Sequence, residues 1–303
     1  MSDASRSSAP PLLVVVGPTA SGKTELALEL CERVGGEIVS ADSVQVYRHF
    51  DVGTGKPSAS ERARAVHHLI DVVEPHDAMD AALWATLADA ALEDIAARGR
   101  RAIVCGGTFL WIRALLFGLA KAPPASEVIR ARHRAVAEAE GRAALHAELA
   151  KLDREHASRL APNDLVRVSR ALEVYELTGV PMSRWQSEHG FRTPRRDARL
   201  IGVARSKPEL DLRILTRAES MLDAGFVEEV RALQARGHGS CRAMGSIGYK
   251  QVHAALAQGV TPDRELLCQA IVRATRVFAR RQRTWLREQP VQWVAAATEV
   301  PLE

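Results

Sequence analysis

The chain has 303 residues, long enough for a full core and a smaller second domain. It is 47% hydrophobic and 26% charged, an ordinary globular mixture, and no apolar run approaches the ~20 residues that a membrane-spanning helix needs. The net charge of +4 sits in one stretch: residues 121–199 hold 15 Lys/Arg against 11 Asp/Glu, and the remainder holds 26 against 26. That hints at a polyanionic partner, while charge alone favours a solvated helical surface.

Residues 1–11 are rich in Ser, Ala and Pro and read as a disordered tail. Leu12–Val16 is a buried-strand run, too short for a signal-peptide core. The spacing of Leu26, Leu30 and Val34 predicts a helix over Gly22–Val34. A second strand is expected at Glu37–Ala41, an Ala/Leu helix at Leu83–Ala97 and a third strand at Ala102–Cys105. This β-α-β-α-β run predicts an α/β core, a parallel sheet flanked by helices. The pattern changes at Lys121-Ala-Pro-Pro124 to helical periodicity only, then returns to a strand at Leu200–Val203 followed by helices. The expected organisation is a split core, 12–120 and 197–300, with an all-helical insertion at 121–196. Cys31, Cys105, Cys241 and Cys268 lie far apart, with no C-x-x-C pair. That argues against zinc and for a reducing compartment, the cytosol.

Gly17-Pro18-Thr19-Ala20-Ser21-Gly22-Lys23-Thr24 fits G-x-x-x-x-G-K-[ST] between a strand and a helix. In such a P-loop the backbone N–H groups wrap phosphate oxygens, Lys23 adds a point charge and Thr24 a hydroxyl for Mg²⁺. Read alone, the loop suggests ATP. Parallel sheets bind ligands at the carboxyl ends of their strands, which places Asp42 and Gly106-Gly107-Thr108 beside it. Asp42 is a candidate general base, a metal or water contact, or merely a helix cap. Thr108 is a candidate substrate contact or a cap. The third strand ends without the acidic residue common in motor and switch ATPases. Asp51–Pro57 and His67–Asp71 read as polar loops, and the two histidines lack partners at metal spacing.

Arg273, Arg276, Arg280, Arg283 and Arg287 step by three or four residues and form one helical stripe, with Ile271, Phe278 and Trp285 expected on the opposite, core-facing side. RNA phosphates would suit the stripe, with Arg276 and Arg280 as candidate contacts; a soluble helix face is the alternative. Arg213 and Arg217 could reach the phosphate pocket, or pair with Asp211, Glu219 or Asp223.

In order along the chain, GPTASGKT (17–24), SADSVQVYR (40–48), DVGTGKP (51–57), HHLID (67–71), NDLVRVSRALEVYELTG (163–179), IGYKQ (247–251) and ARRQRTWLR (279–287) resemble the bacterial tRNA dimethylallyltransferases, also called tRNA isopentenyltransferases. The resemblance covers nearly the whole chain. It implies a P-loop NTPase-like fold and transfer of a dimethylallyl group from dimethylallyl diphosphate, with Mg²⁺, to N6 of the adenosine 3′ of a tRNA anticodon. It implies that Gly17–Thr24 holds the donor's diphosphate with help from Arg217, that Asp42 accepts a proton from the adenine amine and that Thr108 orients it. Asp42, Ser43, Val44, Gln45 and Thr108, with Val166, Arg167, Val168, Ser169 and Arg170, would touch the anticodon stem–loop, and the expected enzyme is a cytoplasmic monomer. The chain departs from the family at Phe109-Leu110-Trp111, where Gly-Leu-Tyr is usual, at Gly245, where arginine is frequent, and at Val277, where glutamine is common. Alternatives are a small-molecule P-loop kinase, a prenyltransferase acting on free adenine nucleotides, and an RNA-binding module with a degenerate nucleotide site.

Overall fold

The structure, a computed structural model, describes residues 10–259 and 262–302. Residues 1–9 of the expected disordered tail lie outside that range; Leu12, already in the first strand, donates its N–H to the Asp197 carbonyl. The chain divides into two compact units, one made of the residues up to Leu116 and those from Arg195 on, the other of Phe117–Pro194.

The first unit begins with β1 (Leu12–Val16), α1 (Lys23–Val34), β2 (Glu37–Ala41), α2 (Ala59–Arg64), β3 (His67–His68), α3 (Ala81–Ala97), β4 (Ala102–Gly106) and α4 (Phe109–Phe117). The helical unit follows with α5 (Glu127–Ala139), α6 (Arg142–Leu152), α7 (Arg154–Ala157), α8 (Leu165–Thr178) and α9 (Met182–His189). The first unit then resumes with β5 (Ala198–Val203), α10 (Lys207–Asp223), α11 (Phe226–Ala235), α12 (Tyr249–Leu256), α13 (Arg264–Arg287) and β6 (Val291–Val294).

The six strands form one parallel sheet in the order β3-β2-β4-β1-β5-β6. A continuous apolar strand such as β1 belongs in a sheet covered on both faces. Leu13 and Val15 join a core with Leu26, Leu30, Ile38, Ile103 and Ile201 on the α1 side, while Val14 and Val16, pointing the other way, are equally buried. Register fixes the site. Val16 pairs with Gly106 and Gly106 with Ala41, so β1, β4 and β2 end level. Gly17, Gly107 and Asp42 therefore leave the same sheet edge together.

The helical unit packs Leu145, Leu149, Val168, Leu172 and Leu160 into a core of its own. Asp164 caps α8 through the Arg167 N–H, and Gly179 ends it at φ 69°. The fully buried Glu173 accepts from the Ser126 N–H and pairs with Arg130 and Arg170. Burial pushes its pKa up, but the two arginines win and hold the carboxyl below its ordinary range. No helix among the described residues is long and apolar enough to cross a membrane. All four cysteines are free and buried.

Candidate active site

The P-loop starts where β1 runs out. Ser21 N–H turns back to the Pro18 carbonyl, and Ala20 and Gly22 adopt φ of 64° and 96°, left-handed values that a glycine takes without strain and an alanine does not. No side chain caps the first turn of α1 at Gly22, so its N–H groups remain available to an anion. The Ser21 hydroxyl is buried with no partner among the described residues. Arg213 Nε donates to the Ala20 carbonyl (2.7 Å) and Arg205 Nε to the Ser21 carbonyl (3.2 Å), so the outward-facing carbonyls of the loop are neutralised from α10 and its approach. Arg213 therefore serves the loop, and among the described residues it forms no ion pair with Asp211, Glu219 or Asp223.

A cavity of about 350 Å³ opens at this sheet edge. Thr19, Lys23, Thr24 and Arg217 line it together with Asp42 and Thr108. Ile214, Met221, Ile271 and Phe278 supply an apolar wall from α10 and α13. Arg217 donates from Nη2 to the Thr54 carbonyl (2.9 Å), and a Cβ on Gly55 would stand 2.4 Å from that same nitrogen, so Gly55 is what lets the guanidinium in. Burial lowers the Lys23 pKa, with Arg217 pushing the same way and Asp42 opposing. Burial also lowers that of Arg217, again opposed by Asp42. Two desolvated cations side by side favour an anion between them. Cys105 lines the same cavity, its thiol pushed up to about 11 by burial, so it stays protonated.

Asp42 uses one oxygen structurally. Its Oδ1 accepts the Val44 N–H (2.9 Å) and the Gln45 N–H (3.2 Å), as a capping residue would. Among the described residues nothing donates to Oδ2. The Thr108 hydroxyl accepts the Ser43 N–H at 3.0 Å, which ties the β4 turn to the β2 turn and leaves the hydroxyl proton free to donate. Each residue thus fixes a turn, neither side chain caps a helix among the described residues, and each lines the cavity.

The 51–55 loop is pinned from beneath. Glu229 on α11 accepts from the N–H groups of Asp51, Val52 and Gly53 and from the Tyr249 hydroxyl. Lys56 Nζ, almost fully buried, donates to the Tyr47 carbonyl and to Asp51 and Asp71. Gln45 donates to the Gly55 carbonyl (3.1 Å), so this expected RNA contact braces the loop that seats Arg217. None of these roles shows in the motifs alone.

Several sequence expectations need correction. Phe278 does not face the core: it is 38% exposed and lines the cavity, because α13 buries Ile271, Ala279, Gln282 and Leu286 instead. Val168 is fully buried in the helical unit and Ser169 is 7% exposed with its hydroxyl on His133 Nδ1, so neither side chain is turned outward to RNA. Arg170 is engaged by Glu173 and the Pro123 carbonyl; Val166, 80% exposed, and Arg167 do face outward. On α13, Arg276 pairs with Asp211, whereas Arg273, Arg280, Arg283 and Arg287 pair with no acid among the described residues. His67-His68, expected as loop, forms the edge strand β3. The residue that sequence reasoning missed is Gln282. It is buried, its Oε1 accepts the Thr19 N–H and its Nε2 donates to the Gly107 carbonyl.

Residues 45–289 match the family described as IPP transferase, and residues 10–73 one described as isopentenyl transferase. A tRNA dimethylallyltransferase of Sorangium cellulosum is 63% identical over 284 residues, 94% of this chain and 90% of the relative. The chain belongs to the tRNA dimethylallyltransferase family. Another member, from Myxococcus xanthus, is 47% identical over 93% of this chain and 91% of its own. Among solved structures, the tRNA isopentenylpyrophosphate transferase of Bacillus halodurans is 34% identical, with a TM-score of 0.67 over 97% of this chain and 92% of that one. A eukaryotic dimethylallyltransferase acting on tRNA, 23% identical with a TM-score of 0.73, shares the fold.

Two of the three family departures have structural counterparts; nothing in the structure explains Val277. Phe109 stacks on Trp285 with centroids 4.0 Å apart and planes at 8°. Trp111 stacks on Trp84, whose indole N–H donates to the Ser40 carbonyl two residues before Asp42. The extra ring volume is thus taken up against Trp285 of α13 and Trp84 of α3. Gly245 lines the cavity with no heavy atom within 4 Å of where a Cβ would stand, so the missing arginine leaves open space.

Proposed function

We propose that this enzyme transfers the dimethylallyl group of dimethylallyl diphosphate to N6 of the adenosine 3′ of the anticodon in tRNA, releasing diphosphate. The observation that carries this reading is the make-up of this cavity: the cations Lys23 and Arg217, the polar pair Asp42 and Thr108, and the apolar side chains of Ile214, Met221, Ile271 and Phe278 all line it. A kinase transferring phosphate has little use for that apolar lining; a five-carbon chain does.

The P-loop amides, Lys23 and Arg217 bind the diphosphate. The N6 lone pair attacks C1 of the allyl group, the C1–O bond breaks and its electron pair leaves on the diphosphate. Lys23 and Arg217 stabilise that developing charge. Asp42 takes the N6 proton on its free Oδ2, and Thr108 donates to or orients the adenine edge. An adenosine in a stacked loop cannot reach this depth, so the base is extruded. Mg²⁺ fits the donor set if held chiefly by diphosphate and water: Thr24 offers a hydroxyl, and among the described residues Asp42 is the only carboxylate on the cavity and no group of three His, Cys, Asp or Glu could hold a metal. Bound there, the ion would neutralise charge on the leaving group. Reduced cysteines and a tRNA substrate favour a cytoplasmic enzyme, and we read it as a monomer.

The test is to incubate the protein with labelled dimethylallyl diphosphate and Mg²⁺, separately with unmodified tRNA and with AMP. Label in tRNA alone supports the reading. Label in AMP, or phosphate transfer from ATP to a small molecule without prenyl transfer, would overturn it.

A further inference from the structure

Gln282 lies 263 positions from Thr19 in the chain, yet both ends of its buried carboxamide are engaged at the sheet edge. The Thr19 N–H donates to Oε1 at 2.8 Å, and Nε2 donates to the Gly107 carbonyl at 3.0 Å. Only this orientation works, since a flipped amide would set N–H against NH₂ and carbonyl against carbonyl. Thr19 belongs to the donor loop. Gly107 precedes Thr108, whose hydroxyl holds the Ser43 N–H next to Asp42. One planar group therefore links the donor cradle to the acceptor turn. The Thr19 N–H is thereby committed to Gln282 and not to phosphate.

We infer that Gln282 is a positioning residue: through these two bonds it sets the spacing between the diphosphate cradle and the Asp42–Thr108 pair. The inference rests on the function proposed above. Transfer between two bound molecules needs the reacting atoms held about 3–3.5 Å apart, and a displacement of about 1 Å can cost about 10²-fold. Without the carboxamide each half of the site keeps its own contacts. Arg217 still rests on Thr54, and Asp42 is still held by the Val44 and Gln45 amides. The loss therefore falls on kcat and not on the KM of either substrate.

The experiment measures transfer to tRNA by wild type, Gln282→Ala, Gln282→Glu and Gly107→Ala across pH, with thermal melts of each. Gln282→Ala lowers kcat by about 10²-fold while both KM values stay within about threefold. Gly107→Ala gives the same pattern from the opposite side, because its Cβ would stand 2.5 Å from Gln282 Nε2 with the next atom, the Gly17 carbonyl oxygen, at 3.5 Å. Gln282→Glu keeps the acceptor for Thr19 but can donate to Gly107 only when protonated. Its deficit relative to wild type shrinks as pH falls, whereas that of Gln282→Ala is flat, a distinction that a purely structural glutamine would not produce. An unchanged kcat, a deficit confined to donor KM, or a pH-independent Gln282→Glu deficit would overturn the inference while wild type still transfers. Failure of wild type itself to transfer would remove the underlying reading. If Gln282→Ala does not fold, the glutamate and Gly107 variants decide.

Discussion

Replacing Asp42 by asparagine separates its chemical role from its structural one. Oδ1 holds the N–H groups of Val44 and Gln45 at 2.9 and 3.2 Å, and an asparagine carbonyl can do the same. Stability should therefore change little, whereas Asp42→Ala would lose the turn and about 1 kcal/mol with it. The asparagine cannot take the N6 proton. Loss of a positioned base is worth about 10²–10⁴-fold, or about 3–5 kcal/mol of transition-state stabilisation. The assay is single-turnover transfer from labelled dimethylallyl diphosphate to tRNA, with donor affinity by calorimetry and a thermal melt on the same protein. Transfer within about tenfold of wild type would refute the base assignment. A parallel collapse of donor affinity would make Asp42 a metal or diphosphate ligand instead.

Arg217→Ala removes a cation that seats on Thr54 and, in the function proposed, faces the leaving group; kcat/KM for the donor should fall about 10²–10³-fold, and an unchanged value would place the diphosphate elsewhere. Glu37, buried at the start of β2, is held down to about 2 by its hydrogen bonds with Arg98, against burial, with His68 helping. Its pKa is lower folded than unfolded, so its contribution is present above the ordinary value of 4.5 and is lost as pH falls from there towards about 2. Urea midpoints of wild type should drop through that window more steeply than those of Glu37→Gln; equal slopes would contradict the assignment. On α13, Arg280→Ala should weaken tRNA binding and lower the salt slope by about 1, while Arg276→Ala, whose partner is Asp211, should lower it less. Equal effects of the two would mean that the ion pair is irrelevant to RNA binding.

The P-loop, β1, β2, β4 and most helices were legible because their signals are local: an apolar run, a glycine motif, a 3.6-residue period. Asp42 and Thr108 were legible because a parallel sheet puts successive strand ends together. Gln282 was not, since its meaning depends on where a helix 263 positions after Thr19 and 175 after Gly107 crosses the sheet edge. Phe278 was misplaced by reading Ile271, Phe278 and Trp285 as one line; a seven-residue step drifts by about 20° each time, and the buried line runs through Ile271, Ala279, Gln282 and Leu286. The edge strands β3 and β6 are short and half-exposed, and so carry no strong pattern. Within Val166–Arg170 the motif does not distinguish the residues that face outward from Val168 and Ser169, which build the helical core.

The central claim is about where the carbon chain goes. Digesting the tRNA product to nucleosides and mapping the label by mass spectrometry tests it directly. The account predicts N6-dimethylallyladenosine at the position 3′ of the anticodon, in step with diphosphate release. Label at another nucleotide, or diphosphate release with the allyl group recovered as the free alcohol and none on adenosine, would contradict it.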